Sequence, residues 1–319
     1  MHAASVILLS WGMIGAACFF SSAGATAMAV ALAALVALVG LPHGAADHRF
    51  ARPRLEPLFG PAWPAVFLFG YLAIAAAVVG GWFVAPAATI VGFFMLSAWH
   101  FGQEEPRLAV GPRALRPAFR FARGGLVIWS AVAFHGPEVA DLLAVTSPEA
   151  AGPAIELAAG VLTPVSWVML GVAAVGWGLQ MLAAFSAGGR RRRILFVDNA
   201  VVASLAAVFA VASPLVGFLV YFCGWHSARG LRRLRAELGE SWPQLAWSLA
   251  PMTAAAIALI AAAAWLLLGG EGWNDTLIRA TFIGLSAVAV PHLLLHAIPL
   301  PSEAAGGRKP RTLHLGSPA

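Results

Sequence analysis

Charge is scarce in this 319-residue chain: Asp, Glu, Lys and Arg make up 11% of it, where a soluble domain carries roughly 25%. Cysteine is almost missing, and both copies, Cys18 and Cys223, lie inside apolar runs. That excludes a disulfide framework and a cysteine metal site, and leaves two small packed hydrophobes. The chain also has no glycine-rich phosphate loop, no nucleophile elbow, no HExxH pair, no heptad repeat and no internal repeat. What fills it instead is apolar: 60% hydrophobic residues and a mean hydropathy of +0.82. A soluble globular enzyme, a disordered chain and a coiled coil are excluded together. The expected fold is all-α, a polytopic integral membrane helix bundle of about 8–10 transmembrane helices, since one helix needs about 20 apolar residues to cross a bilayer.

Ten apolar segments can be drawn, at about 4–22, 25–43, 63–84, 86–103, 118–136, 157–186, 194–211, 213–228, 246–268 and 276–298. The first two nearly touch and Pro214 divides the seventh from the eighth. Residues 1–299 read as a single transmembrane domain and 300–319 as a polar cytoplasmic tail. The small-residue stretch Ala23-Gly24-Ala25 lacks the cationic stretch of a signal peptide before it, so the first segment reads as a retained helix.

A net charge of +6 and a pI near 10.6 invite a nucleic-acid reading. The distribution rejects it, because the cations sit in short loops between apolar runs rather than on one polar face. Arg49, Arg52 and Arg54, the group from Arg107 to Arg123, Arg190 to Arg193, Arg229 to Arg235, and Arg308 to Arg311 all fall on one side of a ten-span drawing. Glu138, Asp141, Glu149, Glu271 and Asp275 fall on the other. By the positive-inside rule the chain is expected in the cell (inner) membrane with both termini cytoplasmic.

Ionisable groups at membrane depth are costly and mark functional sites. Of nine histidines, His2 and His314 lie in the tails, His48 is left to a loop, and His135 ends a span on the outer side. His43, His100 and His226 end three other spans, and His292 and His296 lie in the last. All four spans run toward the cytoplasm, so imidazoles meet at one leaflet. A lone buried histidine usually belongs to the core. Several at one depth suit a metal held between helices. Asp47 and Glu104 stand four residues after His43 and His100, where a helix would place them to orient imidazoles or offset metal charge. Trp99, Phe101, Tyr221, Phe222 and Trp225 flank the histidines as candidate walls of an apolar substrate cavity.

Four stretches carry a resemblance. Leu41-Pro42-His43-Gly44-Ala45-Ala46-Asp47, His100-Phe101-Gly102-Gln103-Glu104-Glu105, Tyr221-Phe222-Cys223-Gly224-Trp225-His226-Ser227-Ala228-Arg229, and Phe282-Ile283-Gly284-Leu285 with Val290-Pro291-His292 are similar, in order, to the motifs of the Brp/Blh family. The resemblance implies a membrane-bound β-carotene 15,15'-dioxygenase, which cleaves the central double bond of β-carotene with O2 to give two all-trans-retinal, often for a retinal-binding rhodopsin. It further implies iron, Fe(2+), carried over here to His43, His100 and His226.

One position departs from the pattern. The third motif of the family has a second histidine where this chain has Gly230. The fourth ligand is therefore assigned to the last span, His292 being preferred to His296. Other classes remain open. A desaturase-like di-iron site needs about eight clustered ligands, and His292 with His296 makes only one such box. A b-type haem protein would use axial histidines from two helices. A non-catalytic carotenoid- or retinal-binding or transport protein would share the cavity without the chemistry.

The charge distribution generates the first prediction. A reporter active only in the cytoplasm, fused after residue 319, should be active. Activity of a periplasm-specific reporter at the same place would reverse the topology.

Overall fold

The computed structural model describes residues 11–12, 14–15, 18–19, 24–104, 111–146, 152–267 and 273–298. The span expected at 4–22 falls mostly outside them, as do Glu105, Arg107, Glu149, Glu271 and the tail from 299. The described residues are helical and contain no strand. α1 (Ala25–Leu35) continues through a π-helical turn, Val36–Gly40, into α2 (Leu41–Gly44). α3 (Asp47–Phe59), α4 (Trp63–Val84) and α5 (Pro86–Gln103) follow. Next come α6 (Arg116–Gly124), α7 (Leu126–Phe134), α8 (Gly136–Thr146), α9 (Gly152–Ser186) and α10 (Gly189–Val211). α11 (Pro214–Leu219) runs into a second π-helical stretch, Val220–Ser227. α12 (Ala228–Leu238), α13 (Trp242–Leu267) and α14 (Trp273–Ala297) complete the chain.

Nine of the ten drawn segments coincide with helix, and 63–84 and 86–103 match α4 and α5 residue for residue. Five stretches among the described residues are long and apolar enough to cross a bilayer, and the bent pair α7–α8 would make six. The fifth drawn segment, 118–136, is not one rod. Gly125 separates α6 from α7, and the chain then turns by 106° into α8, which the charge of Glu138 and Asp141 hid from a search for apolar runs.

Exposure is reversed relative to a soluble protein. Phe69, Leu182, Val211 and Trp247 are largely exposed, while Ser130, Ser166, Gln180, Asn199 and Ser286 are fully buried. Apolar side chains facing outward and polar ones inward suit a lipid solvent, where a polar group needs an internal partner. Arg123 is a case that reading by loop charge misplaced. It lies in the bundle and makes two hydrogen bonds to Asp198, at 2.7 and 2.9 Å, and Gln180 donates to the same carboxylate at 2.6 Å. Asp198 and Gln180 were each a lone polar residue in an apolar run, which was the available signal.

α14 is the axis of the bundle, packed against α1, α4, α5, α8 and α13. Trp82 of α4 donates to Ser286 at 2.8 Å, and the Tyr71 hydroxyl donates to the Val288 carbonyl at 2.6 Å. That carbonyl adjoins the one that Pro291 leaves without its helix donor. α5 and α6 touch backbone to backbone. A Cβ on Gly102 would overlap the Arg120 carbonyl, and one on Gly124 would overlap the Ala98 carbonyl and the Gly102 backbone. Small residues permit such an approach in membranes, where helix association rests on close packing.

This contact yields the second prediction. Gly124→Leu should cost at least 1–3 kcal/mol by overpacking, read as a lowered unfolding temperature in detergent. Gly92→Leu, at a position with open space around it, should leave that temperature unchanged.

Candidate metal centre

Two π-helical turns shape the site. One lies just before His43, and the other contains His226. A π turn inserts one residue into the helical phase, which re-aims the side chains after it, and such turns concentrate at functional sites. α5 delivers His100 from its last turn, and α14 delivers His292 and His296 one turn apart. The four elements end together at the arginine-rich end of the bundle, beside α3 and α12.

The five rings form one cluster. The His43 ring lies 4.9 Å from that of His226 and 5.4 Å from that of His292. His100 stands between them, 5.6 Å from His226, 5.2 Å from His292 and 5.8 Å from His296. His292 and His296 are 4.5 Å apart. Two groups of donor atoms lie within 4.8 Å of one another: His43 with Glu104 and His226, and Asp47 with His292 and His296.

Asp47 does not pair as helical spacing suggested, whereas Glu104 stays beside His100. Gly44 ends α2, the chain turns at Ala45 and Ala46, and Asp47 opens α3. This bend carries Asp47 away from His43 and onto His292, whose Nδ1–H donates to Oδ1 at 2.7 Å. Glu104 bridges two histidines, 3.4 Å from His226 Nδ1 and 3.9 Å from His100 Nε2. His48, expected in a loop, is in the first turn of α3 with Nδ1 3.2 Å from the Ala45 carbonyl. His135 sits apart, at the α7–α8 corner, against the Phe209 carbonyl.

Nε2 of His43, His100, His292 and His296 is buried without a hydrogen-bond partner, and so is Asp47 Oδ2. Buried nitrogens rarely stay unpaired. Four of them within one cluster of rings are donors of the type that holds a divalent metal, with imidazole the common ligand of iron, copper and zinc. The fit is good in one second contact too, because Asp47 engages Nδ1 of His292 and leaves its Nε2 free to bind.

Gly230 belongs to this arrangement. A Cβ built there would overlap Cε1 and Nδ1 of His43. The His43 ring therefore occupies the space that a side chain at 230 would fill.

An apolar cavity of about 410 Å³ opens from the cluster. His43, His100, His226 and His292 border it, with Phe101 and Phe222 from the expected wall. Trp99, Tyr221 and Trp225 are not among its lining residues. Tyr221 packs inside the core against Phe101, and Trp225 carries the Arg229 guanidinium 5.5 Å above its ring. Tyr71 lines the cavity and was missed, since a tyrosine in mid-helix has no spacing signature. Leu68 and Leu72 of α4 and Met252 and Leu259 of α13 line it and are also exposed on the outer surface. The cavity thus reaches the lipid-facing side between these two helices.

Residues 34–298 match the family model described as β-carotene 15,15'-dioxygenase. The β-carotene 15,15'-dioxygenase of uncultured marine bacterium 66A03 is 27% identical over 274 residues, covering 82% of this chain and 90% of that protein. The probable β-carotene 15,15'-dioxygenase Blh of Halobacterium salinarum is 28% identical over 293 residues, covering 84% and 83%. No solved structure matches the chain. With its family model spanning the histidine cluster, the cavity and most of the helices around them, the chain belongs to the β-carotene 15,15'-dioxygenase family.

Proposed function

We propose that this protein is an iron-dependent dioxygenase that cleaves the 15,15' double bond of β-carotene with O2, giving two all-trans-retinal. The observation that carries the reading is the convergence of imidazoles from four helices at the wall of an apolar cavity that reaches the lipid. A C40 hydrocarbon is confined to the bilayer, so a lateral entrance between α4 and α13 suits it. In the balanced reaction one C=C is replaced by two C=O groups, and both oxygen atoms of O2 end in the aldehydes. Iron, when bound, supplies the one-electron chemistry that lets O2 react with a closed-shell polyene.

The protein does the rest by position. His43, His100, His226 and His292 are the proposed ligands, with His296 next in reach. Asp47 fixes the His292 ring and leaves Nε2 without a partner, and Glu104 lies against Nδ1 of His226. Their negative charges offset a dication in a low-dielectric site, where an uncompensated charge is costly. Phe101 and Phe222 present ring faces to the polyene and exclude water. The proposed placement is the cell membrane with both termini cytoplasmic, and the product suits a retinal-binding rhodopsin in the same membrane.

A non-catalytic carotenoid-binding role drew its weight from Gly230, where the family's second histidine would be. The His43 imidazole in that space argues against an impoverished site, because the ring stands where the extra side chain would stand.

Two predictions follow from the site. Alanine at His43, His100, His226 or His292 should abolish both retained iron, measured by elemental analysis, and retinal formation in β-carotene-producing cells. Asp47→Asn should lower them on the order of 10- to 100-fold, and His135→Ala should leave both unchanged. Full iron content in the triple His43, His100 and His226 alanine variant would sink the site. At Gly230, substitution by Ala or His should displace the His43 ring and lower iron content. A gain of iron in Gly230→His would mean that His43 can move aside to admit a further ligand.

A further inference from the structure

A second cavity, of about 100 Å³, lies behind the first. The two share the side chains of Phe93, Phe94, Val127, Ile128, Phe218 and Phe282, which form a wall between them. Beyond the wall the small cavity is lined by Ala131, Val132, Leu143 and Thr146 of α7 and α8. The Thr146 hydroxyl is already donated to the Leu143 carbonyl at 3.0 Å, so it offers no hydrogen to a ligand.

Protein interiors are close-packed, with few voids larger than a water molecule. A water needs about 10–15 Å³ of such volume and two to four polar partners. This void is several times larger, and its lining lacks those partners. It therefore suits a dry hydrocarbon guest. Its position narrows the choice of guest. Along α14 the first cavity runs from His292 to Phe282, about 15 Å of helix axis. Phe282 belongs to the dividing wall, so the small cavity begins about that far from the histidines. Half of an extended C40 polyene covers a comparable distance.

We infer that the small cavity is the seat for one terminal cyclohexenyl ring of the polyene, reached when the aromatic wall parts. The inference rests on the proposed carotenoid cleavage. Its consequence is a ruler. A polyene has no polar group by which its middle could be recognised. A ring seated at a fixed distance from the histidine cluster sets which double bond lies beside it, and in a symmetric substrate that bond is the central one. The bend after α7 builds the far side, because it turns α8 so that Val139, Leu143 and Thr146 line the cavity together with Ala131.

The experiment uses the full chain in detergent with two substrates, β-carotene and an apo-carotenal with one intact ring and the other end shortened. Wild type should form retinal from both. Ala131→Leu and Ala131→Phe, which fill the small cavity without touching a histidine, should lower β-carotene cleavage on the order of tenfold or more. They should lower cleavage of the shortened substrate to the same degree, because its one ring needs the same seat, and the cleavage that remains on either substrate should shift away from the 15,15' bond to aldehydes other than retinal. Leu143→Ala, which enlarges the cavity, should keep β-carotene cleavage and add activity on a polyene with a bulkier end ring. A loss with no shift of the cleaved bond in variants that melt like wild type, or no change on either substrate, overturns the ring seat while the dioxygenase reading stands. If the Ala131 variants melt early, Leu143→Ala decides: unchanged end-ring preference overturns the ring seat. No retinal from either substrate with iron-loaded wild type overturns the enzyme reading itself, and the ring seat with it.

Discussion

Five imidazoles packed within one apolar bundle impose the governing constraint. Each has two ring nitrogens, and in a medium of low dielectric an unpaired polar atom is expensive. Two carboxylates meet part of the demand. Asp47 accepts from His292, and Glu104 lies between His226 and His100. Nε2 of His43, His100, His292 and His296 stays without a hydrogen-bond partner in the protein. The cluster is thus half satisfied by the protein itself, and the unsatisfied half is the donor set to which the proposed iron is assigned.

The helices adjust their own geometry to this cluster. The π turns at Val36–Gly40 and Val220–Ser227 shift the helical phase at two of its members. Asp47 reaches His292 because α2 stops at Gly44 and a new helix begins three residues later. Gly102 and Gly124 let α5 and α6 meet along their backbones, which holds the end of α5 that carries His100. Gly230 gives way to the His43 ring on the other side. The glycines of the motif regions are therefore spatial requirements of neighbouring helices as much as local ones.

Burial in this bundle separates two kinds of polar chemistry. The histidine cluster borders the large cavity and leaves nitrogen atoms without protein partners. The Arg123–Asp198–Gln180 group closes on itself with short hydrogen bonds and ties α6, α9 and α10 together. A charge pair that is bidentate and further hydrogen-bonded tolerates burial, and it reads as a fastening of the bundle.

The amino-acid sequence alone determined the solvent, the class and most of the elements. Scarce charge and long apolar runs leave no choice but helices in lipid, and two spans, 63–84 and 86–103, could be drawn to the residue. It also brought His43, His100, His226 and His292 forward, because an ionisable side chain in an apolar run is conspicuous whatever it contacts. Partnership was beyond its reach. Spacing of four residues paired Asp47 with His43, but a bend of two residues sent it to a histidine 245 positions away. The same limit hid the turn at His135, the half-buried Arg123, the wall made by Tyr71, and the reason for Gly230. Helical periodicity describes one helix at a time, whereas ligand geometry, cavity depth and close backbone contact arise between helices, and those distances exist only once the bundle has packed.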